Sequence, residues 1–482
     1  MKRNMKYLFA CCLLIVSVHL QAQNENQGSS PFVVKPYLQI GQSPSASSLD
    51  LLWQTADENA DWVVEVKNPG NKNWAPATKP GFTFISAKGI SRRKAYTVHL
   101  TELAPGSIFN YHLSKNGKII FTATAMAPKN PEQPYRFVVS GDIGAATPDA
   151  KLLSRQAFLA KPDLVMIPGD IVYEHGLISE YDTKFWPVYN ADISNDSGAA
   201  LMRSVPFVAA PGNHDTEEKD FDKYPGALAY FLFWDQPVNG PLQKEGGPSY
   251  PLLKISDSAR KAFMETAGNR FPVMTNFSFN YGNAHWLVLD ANPYVDWTDK
   301  ALTDWIEKDL AAAAGATWRF VAFHHPGFSS SREHFEQQHM RLLSPLFEAG
   351  KVDIVFNGHV HNYQRSFPLR FVPDKKGTLL VGGKDNKTVR GRVVNGRWTL
   401  DKIFDGKTNT KSNGVIYIVT GAGGQELYNP EQNNDPDSWQ KFTCKFISST
   451  HSLTVVDING KSLKLHQLDT NGKELDAIEI TK

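Results

Sequence analysis

The chain has 482 residues, with 51 Lys plus Arg against 49 Asp plus Glu, a formal net charge of +2. That balance points to no polyanionic partner and no nucleic-acid surface, and 41% hydrophobic with 21% charged residues excludes a disordered or fibrous chain. The length allows roughly three domains, or two if one is a large α/β unit, with a core able to stand without disulfides or structural metal.

Met1 to Lys6 is basic, and residues 7–20 form an almost unbroken apolar run of 14 residues, shorter than the about 20 needed to span a bilayer. Gln21-Ala22-Gln23 then offers small-residue processing near Ala22. Residues 1–22 therefore read as a secretory signal peptide, and the mature chain as secreted or periplasmic, starting near Gln23. Cys11 faintly imitates a lipoprotein box, but most of the apolar run follows it, so lipid anchoring is not expected. Loss of Lys2, Arg3 and Lys6 leaves 48 bases against 49 acids, a net charge of −1. Cys11 and Cys12 leave with the signal, so Cys444 has no partner for an intrachain disulfide. No other apolar run approaches 18 residues, so no transmembrane segment is expected, and nothing in the pattern sets an oligomeric state.

Residues 31–127 alternate β-rich runs with turn signals: 48–55, 62–68, 95–103, then 108–114 and 119–124 as a hairpin around Asn116-Gly117. Strands at this spacing without helical patterns predict an all-β sandwich. Residues 125–134, with three prolines, read as a linker. Strands at 135–140, 164–167 and 205–210 then alternate with a helix at 149–160, a β-α-β pattern. A strand at 284–289, a helix at about 298–314, a strand at 319–323, a helix at 337–349 and a strand at 352–356 continue it, before strands at 415–420, 453–458, 462–468 and 474–480.

The polar residues that stand out all follow apolar strands. Phe-Val-Val-Ser-Gly-Asp142, Val-Met-Ile-Pro-Gly-Asp170-Ile-Val-Tyr173, Phe-Val-Ala-Ala-Pro-Gly-Asn213-His214, Val-Ala-Phe-His324-His325 and Ile-Val-Phe-Asn-Gly-His359-Val-His361 share one design. Open α/β sheets bind ligands beyond the carboxyl ends of their strands, so five such ends would converge on one site. Singly, each is most often a turn or a solvated histidine. Together they supply two Asp, one Asn, one Tyr and three His, a set that suits two cations sharing a bridging carboxylate. Glycine before Asp142, Asp170, Asn213 and His359 would let the backbone turn sharply into a crowded cluster.

These motifs resemble the metallophosphoesterase superfamily, and Tyr173 in Gly-Asp-Ile-Val-Tyr makes them similar to the purple acid phosphatases. Lys35-Pro-Tyr-Leu-Gln39 and Leu103-Ala-Pro-Gly106 resemble that family's fibronectin-III-like amino-terminal domain, and residues 414–424 the end of its catalytic domain. The resemblance implies a fibronectin-III-like β-sandwich over 31–127, then an α/β (α+β) calcineurin-like catalytic domain over 135–482, a four-layer sandwich. It implies Asp142, Asp170, Tyr173 and His361 on Fe(III), and Asp170, Asn213, His324 and His359 on a divalent zinc, manganese or iron, with Asp170 bridging. Two carboxylates, a phenolate and a bridging hydroxide carry −4 against +5, leaving a net positive site. The implied reaction is phosphomonoester hydrolysis by a metal-bound hydroxide, on a small-molecule or macromolecular phosphoester. His214 and His334 match the family's outer histidines for phosphate contact and leaving-group protonation.

Two departures bear on this. Glu333 stands where many relatives place another histidine, and His325 follows His324 where a small residue is common. Neighbours on a strand point to opposite faces, so His325 is read as structural. A phosphodiesterase on the same site and a non-catalytic surface module remain open alternatives. Residues 217–270, rich in aromatics, could wall the cleft or bury those rings in a side subdomain, while residues 374–412 form a polar excursion.

Overall fold

The computed structural model describes residues 30–242, 244–374 and 393–482. The signal-peptide reading of 1–22 falls outside them, as do residues 375–392 of the polar excursion.

Residues 34–126 form two four-stranded antiparallel sheets. One has the order Val34–Gln39, Leu49–Ala56, Ile90–Leu100, Gly81–Ala87; the other has Ala75–Pro76, Trp62–Lys67, Ile108–Lys115, Lys118–Met126. Alternation along each strand puts Trp53, Trp62, Val64, Tyr96, Phe109 and Tyr111 between the sheets, where Trp53 stacks on Tyr96 with ring centroids 5.0 Å apart. Asn116 (φ 51°) and Gly117 (φ 79°) supply the two left-handed residues a tight hairpin requires. The strand Gly81–Ala87 was not among the expected elements; four of its first five side chains are exposed or half-exposed, so it lacks a clear alternating pattern.

Two mixed sheets follow. The six-stranded sheet has the order Phe207–Ala210, Leu164–Pro168, Tyr135–Val139, Ser452–Asn459, Ser462–Asp469, Glu474–Thr481. The seven-stranded sheet runs Phe277–Tyr281, Ala284–Val288, Trp318–Ala322, Ile354–Asn357, Ile416–Thr420, Tyr363–Ser366, Thr443–Ile447. They face each other across Phe137, Val139, Met166, Trp286, Phe320, Phe356, Ile418 and Val456. Apolar residues on both faces of the central strands explain why these read as continuous hydrophobic runs.

Helices close the outer faces, which completes the four layers of a metallophosphoesterase fold. Pro148–Ala160, capped by the Thr147 hydroxyl accepting from the Ala150 N–H at 3.2 Å, lays Leu153 and Ala157 on the six-stranded sheet. Lys300–Ala312 covers the other sheet with Leu302, Ile306 and Leu310, spaced four apart on one stripe. The helix expected over 337–349 is shorter: a 3₁₀ turn at His339–Leu343 precedes a helix only at Ser344–Ala349. Pro345 has no N–H to continue a helix entering from upstream, so it sits in the first turn of a new one.

The β-sandwich is tied to these layers by buried polar contacts, and Phe32–Lys482 form one compact unit. Arg93 makes a bidentate pair with Asp182 at 2.7 and 3.0 Å, and the Tyr37 and Tyr111 hydroxyls donate to the carbonyls of Phe233 and Arg203, each at 2.8 Å. Tyr230, Phe231, Phe233 and Trp234 are buried in this junction. The Tyr230 hydroxyl reaches the Ala209 and Met274 carbonyls at 3.0 Å. The aromatics of 217–270 therefore fill core, whereas Glu217 and Lys219 at its start line a cleft.

Phe137 is fully buried, with its ring 5.1 Å from Trp286, 5.4 Å from Phe320 and 6.1 Å from Phe356. Phe137→Ala opens a cavity between the two sheets and is expected to cost about 3–5 kcal/mol, read as a lowered midpoint in urea unfolding.

Candidate metal centre

Parallel pairing aligns the carboxyl ends of the central strands. Leu164–Pro168 runs parallel to both Tyr135–Val139 and Phe207–Ala210, and Ile354–Asn357 parallel to Trp318–Ala322. Each strand is followed within three residues by one of the polar groups picked out in the sequence. Three of these, Asp142 (φ 60°), Asp170 (φ 53°) and His359 (φ 67°), have left-handed backbone, which costs an ordinary residue about 1–2 kcal/mol. The sharp turn is thus made largely by the functional residues themselves. Gly169 (φ 91°) shares the turn before Asp170, whereas two other glycines serve by lacking a side chain: a Cβ on Gly358 would lie 2.7 Å from Asp142 Oδ2, and one on Gly212, before Asn213, 2.0 Å from Asp170 Oδ1.

The cluster has two parts. In one, the His361 Nδ1–H donates to the Glu426 carbonyl at 2.7 Å, which leaves the lone pair on Nε2. That nitrogen lies 3.4 Å from Asp142 Oδ1 and 3.3 Å from the Tyr173 hydroxyl, which itself donates to Asp142 at 3.1 Å. In the other, the His324 Nδ1–H donates to the Pro168 carbonyl at 2.9 Å, and Nε2 lies 3.1 Å from Asn213 Oδ1 and 3.2 Å from Asp170 Oδ2. Backbone carbonyls fix both imidazole tautomers, the arrangement that usually backs metal-ligating histidines. Donor atoms of Asp142, Asp170 and His324 all lie within 4.8 Å of one another, close enough to hold a metal ion. His359 stands apart: its backbone N–H donates to Asp142 at 2.8 and 3.0 Å, while Nε2 lies 2.5 Å from Gln337 Oε1.

The calcineurin-like phosphoesterase family model matches residues 135–363. Purple acid phosphatase 13 of Arabidopsis thaliana is 26% identical over 367 residues, which cover 72% of this chain and 58% of its own. "Probable inactive purple acid phosphatase 1" of the same plant is 25% identical over 467 residues, 89% of this chain and 65% of its own. The structure of purple acid phosphatase PPD1 from yellow lupin (Lupinus luteus) seeds superposes with a TM-score of 0.62 at 18% identity, covering 92% of this chain and 74% of that one. Residues 135–363 thus match the calcineurin-like phosphoesterases, and the chain as a whole is similar to purple acid phosphatases. It spans about half to three-fifths of the length of several curated relatives it matches. One relative's name carries the word inactive, so the residues of the site, rather than similarity, have to carry any claim of activity.

Around the cluster, His214 is held by its backbone N–H donating to Asp170 Oδ1 at 3.1 Å and by Nδ1–H donating to the Glu174 carbonyl at 2.8 Å. Its Nε2 then faces inward, 4.0 Å from Asp170 Oδ2, and its ring lies 4.5 Å from that of Tyr173. His334 is half-buried with its ring 4.2 Å from His359, and Gln337 Nε2 approaches its Nδ1 at 3.4 Å. Both line or border the inner cluster, whereas Glu333 is exposed. His325 is buried, its ring 4.2 Å from His359, and lines a cavity of about 140 Å³ with Asn213, His334, His359, Lys219 and Tyr294.

Charge and burial shift several titrations here. Burial pushes the Asp170 carboxyl up, but His324 and then His214 outweigh it and hold the group well below the usual carboxylate range. His324 moves the other way, to about 9, because Asp170 overcomes its desolvation. Burial, reinforced by the charges of Asp142 and then Asp170, drives the Tyr173 phenol well above its ordinary value. Burial lowers His334.

Three positioning residues were not picked out from the sequence. Asp215, buried, accepts from Gly212 N–H at 2.7 Å and Ile171 N–H at 3.1 Å, bracing the loop that carries Asn213; burial and the Asp170 charge raise it to about 7. Tyr428 stacks on His361 with centroids 4.0 Å apart. Gln337 touches both His359 and His334. Only Asp215 carried a cue, since it directly follows Asn213-His214.

Gly212→Ala forces a methyl into Asp170 and its own loop, so a loss of about 1–3 kcal/mol is expected from overpacking, measurable by chemical denaturation.

Proposed function

We propose that this chain is an exported binuclear metallophosphatase that hydrolyses phosphomonoesters. The observation that carries the reading is a pair of carboxylates, Asp142 and Asp170, each at most 1% exposed. Among the described residues neither has a lysine or arginine within ion-pair distance, only imidazoles, a phenol and backbone N–H groups. Two buried anions balanced only by titratable imidazoles are costly. A bound metal pair supplies the missing charge.

The donor set fits such a pair. Asp142, Asp170, Tyr173 and His361 would hold Fe(III); Asp170, Asn213, His324 and His359 would hold a divalent zinc, manganese or iron, with Asp170 shared and His359 exchanging its contact with Gln337. Oxygen and imidazole donors without thiolate suit these ions. When bound, the metals acidify a coordinated water and neutralise phosphoryl oxygens in an in-line displacement. The residues of the chain do the rest. The tautomers of His324 and His361 present Nε2 to the site. His214, held by the Glu174 carbonyl through Nδ1, presents Nε2 to a phosphoryl oxygen. His334 at the cavity wall delivers the proton to the departing alkoxide. Export rests on the amino-terminal pattern of residues 1–22, and no described helix is long and apolar enough to cross a membrane.

Metal analysis of the native protein with a panel of phosphoesters tests the reading. Asp170→Asn is expected to lower turnover by several orders of magnitude and to reduce bound metal. Retention of both metals and near-normal turnover would refute the bridging role. A second expectation concerns Tyr173: with its neutral form so strongly favoured, ionisation requires a highly charged cation, and a phenolate on Fe(III) absorbs visible light. Tyr173→Phe should abolish that band. A colourless, fully active wild-type enzyme holding two divalent ions would remove the iron assignment and leave phosphoester hydrolysis standing.

A further inference from the structure

Lys219 lines the same cavity as Asn213, His334 and His359. Its ammonium sits 4.8 Å from the centre of the Tyr294 ring, and it reaches the Glu217 carbonyl at 3.5 Å. Among the described residues it makes no ion pair: of the nearby acids, Glu218 is paired with His175 at 3.1 Å, and Asp290 accepts from Asn292 at 2.8 Å and from the Tyr294 hydroxyl. The platform under Lys219 is hydrogen-bonded on several sides. Asp290 is buried, anchors Tyr294 and, through Asn292, reaches the Gly212 carbonyl at 3.2 Å, directly beside Asn213. Burial pulls the lysine below its ordinary pKa against the opposing charges of Asp290, Glu217 and Glu218, so the ammonium gains from an incoming anion. Among the described residues, Glu217, exposed at the rim, is the one acid lining the cavity.

We propose that Lys219 on its Tyr294 platform forms a second anion subsite, so that the site prefers phosphoesters bearing a further phosphate or carboxylate beside the scissile phosphoryl group. This rests on the phosphatase reading above, and it adds the substrate class. A cation held on an aromatic face next to the site selects a second negative charge, while Glu217 opposes it.

Calorimetric titration of the metal-loaded full chain with orthophosphate and with pyrophosphate separates the two claims. Lys219→Gln should weaken pyrophosphate about tenfold, the scale of one charge-assisted contact, and orthophosphate by less than about twofold. Lys219→Arg should keep most of the pyrophosphate affinity, and Glu217→Gln should raise it. Equal losses for the two anions in Lys219→Gln, or no loss for either, would overturn the subsite and leave the phosphatase reading intact. Failure of the wild type to bind orthophosphate at all would overturn both.

Discussion

Two carboxylates buried side by side at the carboxyl edge of two sheets set the terms for this structure. Asp142 and Asp170 are withdrawn from water and surrounded by groups that stabilise anions only partly. Against that burial, His324 and His214 hold the Asp170 carboxyl below its ordinary range, the Asp170 charge raises the His324 imidazole, and burial with the two carboxylate charges raises the Tyr173 phenol. It also explains the backbone: left-handed residues and side-chain-free glycines are needed to bring separate strand ends within a few ångströms. Such strain persists only where the surrounding framework over-determines it.

That framework is the double layer of central strands. Phe137, Trp286, Phe320 and Phe356 interlock between the sheets, so the strand ends above them are held in register. The carboxyl-terminal strands contribute indirectly. Ser452–Asn459 pairs antiparallel with Tyr135–Val139, the strand that leads to Asp142, and so ties these late strands to the first strand of the two-sheet core. The β-sandwich packs on the same body through Arg93–Asp182 and the aromatic cluster around Trp234.

Histidine roles are divided by hydrogen bonding rather than by residue type. His324 and His361 give their Nδ1–H to carbonyls and turn Nε2 inward. His214 does the same from outside the inner cluster. His359 instead meets Gln337, which also touches His334. One glutamine thus links an inner histidine to an outer one.

The strand ends bearing Asp142, Asp170, Asn213, His324 and His359 were legible in the sequence because an apolar run ending in a polar residue, with a glycine just before it in all but His324, is a local pattern. The hairpin at Asn116-Gly117 and the helix ending at Ala160 were legible for the same reason. The strand Gly81–Ala87, largely exposed, and the early helix over 337–349, broken before Pro345, were not, since neighbouring layers and hydrogen bonds decide them. Tertiary structure alone brought Tyr428 against His361, Gln337 between two histidines and Lys219 onto Tyr294. These contacts join residues from different elements, and chain spacing carries no information about which distant side chains share a cavity once two sheets have packed. The amino-acid sequence by itself determined which chemical groups stand at the strand ends; the packing of the two sheets decided which face one another and at what distance, because strand register and inter-sheet contact are long-range properties.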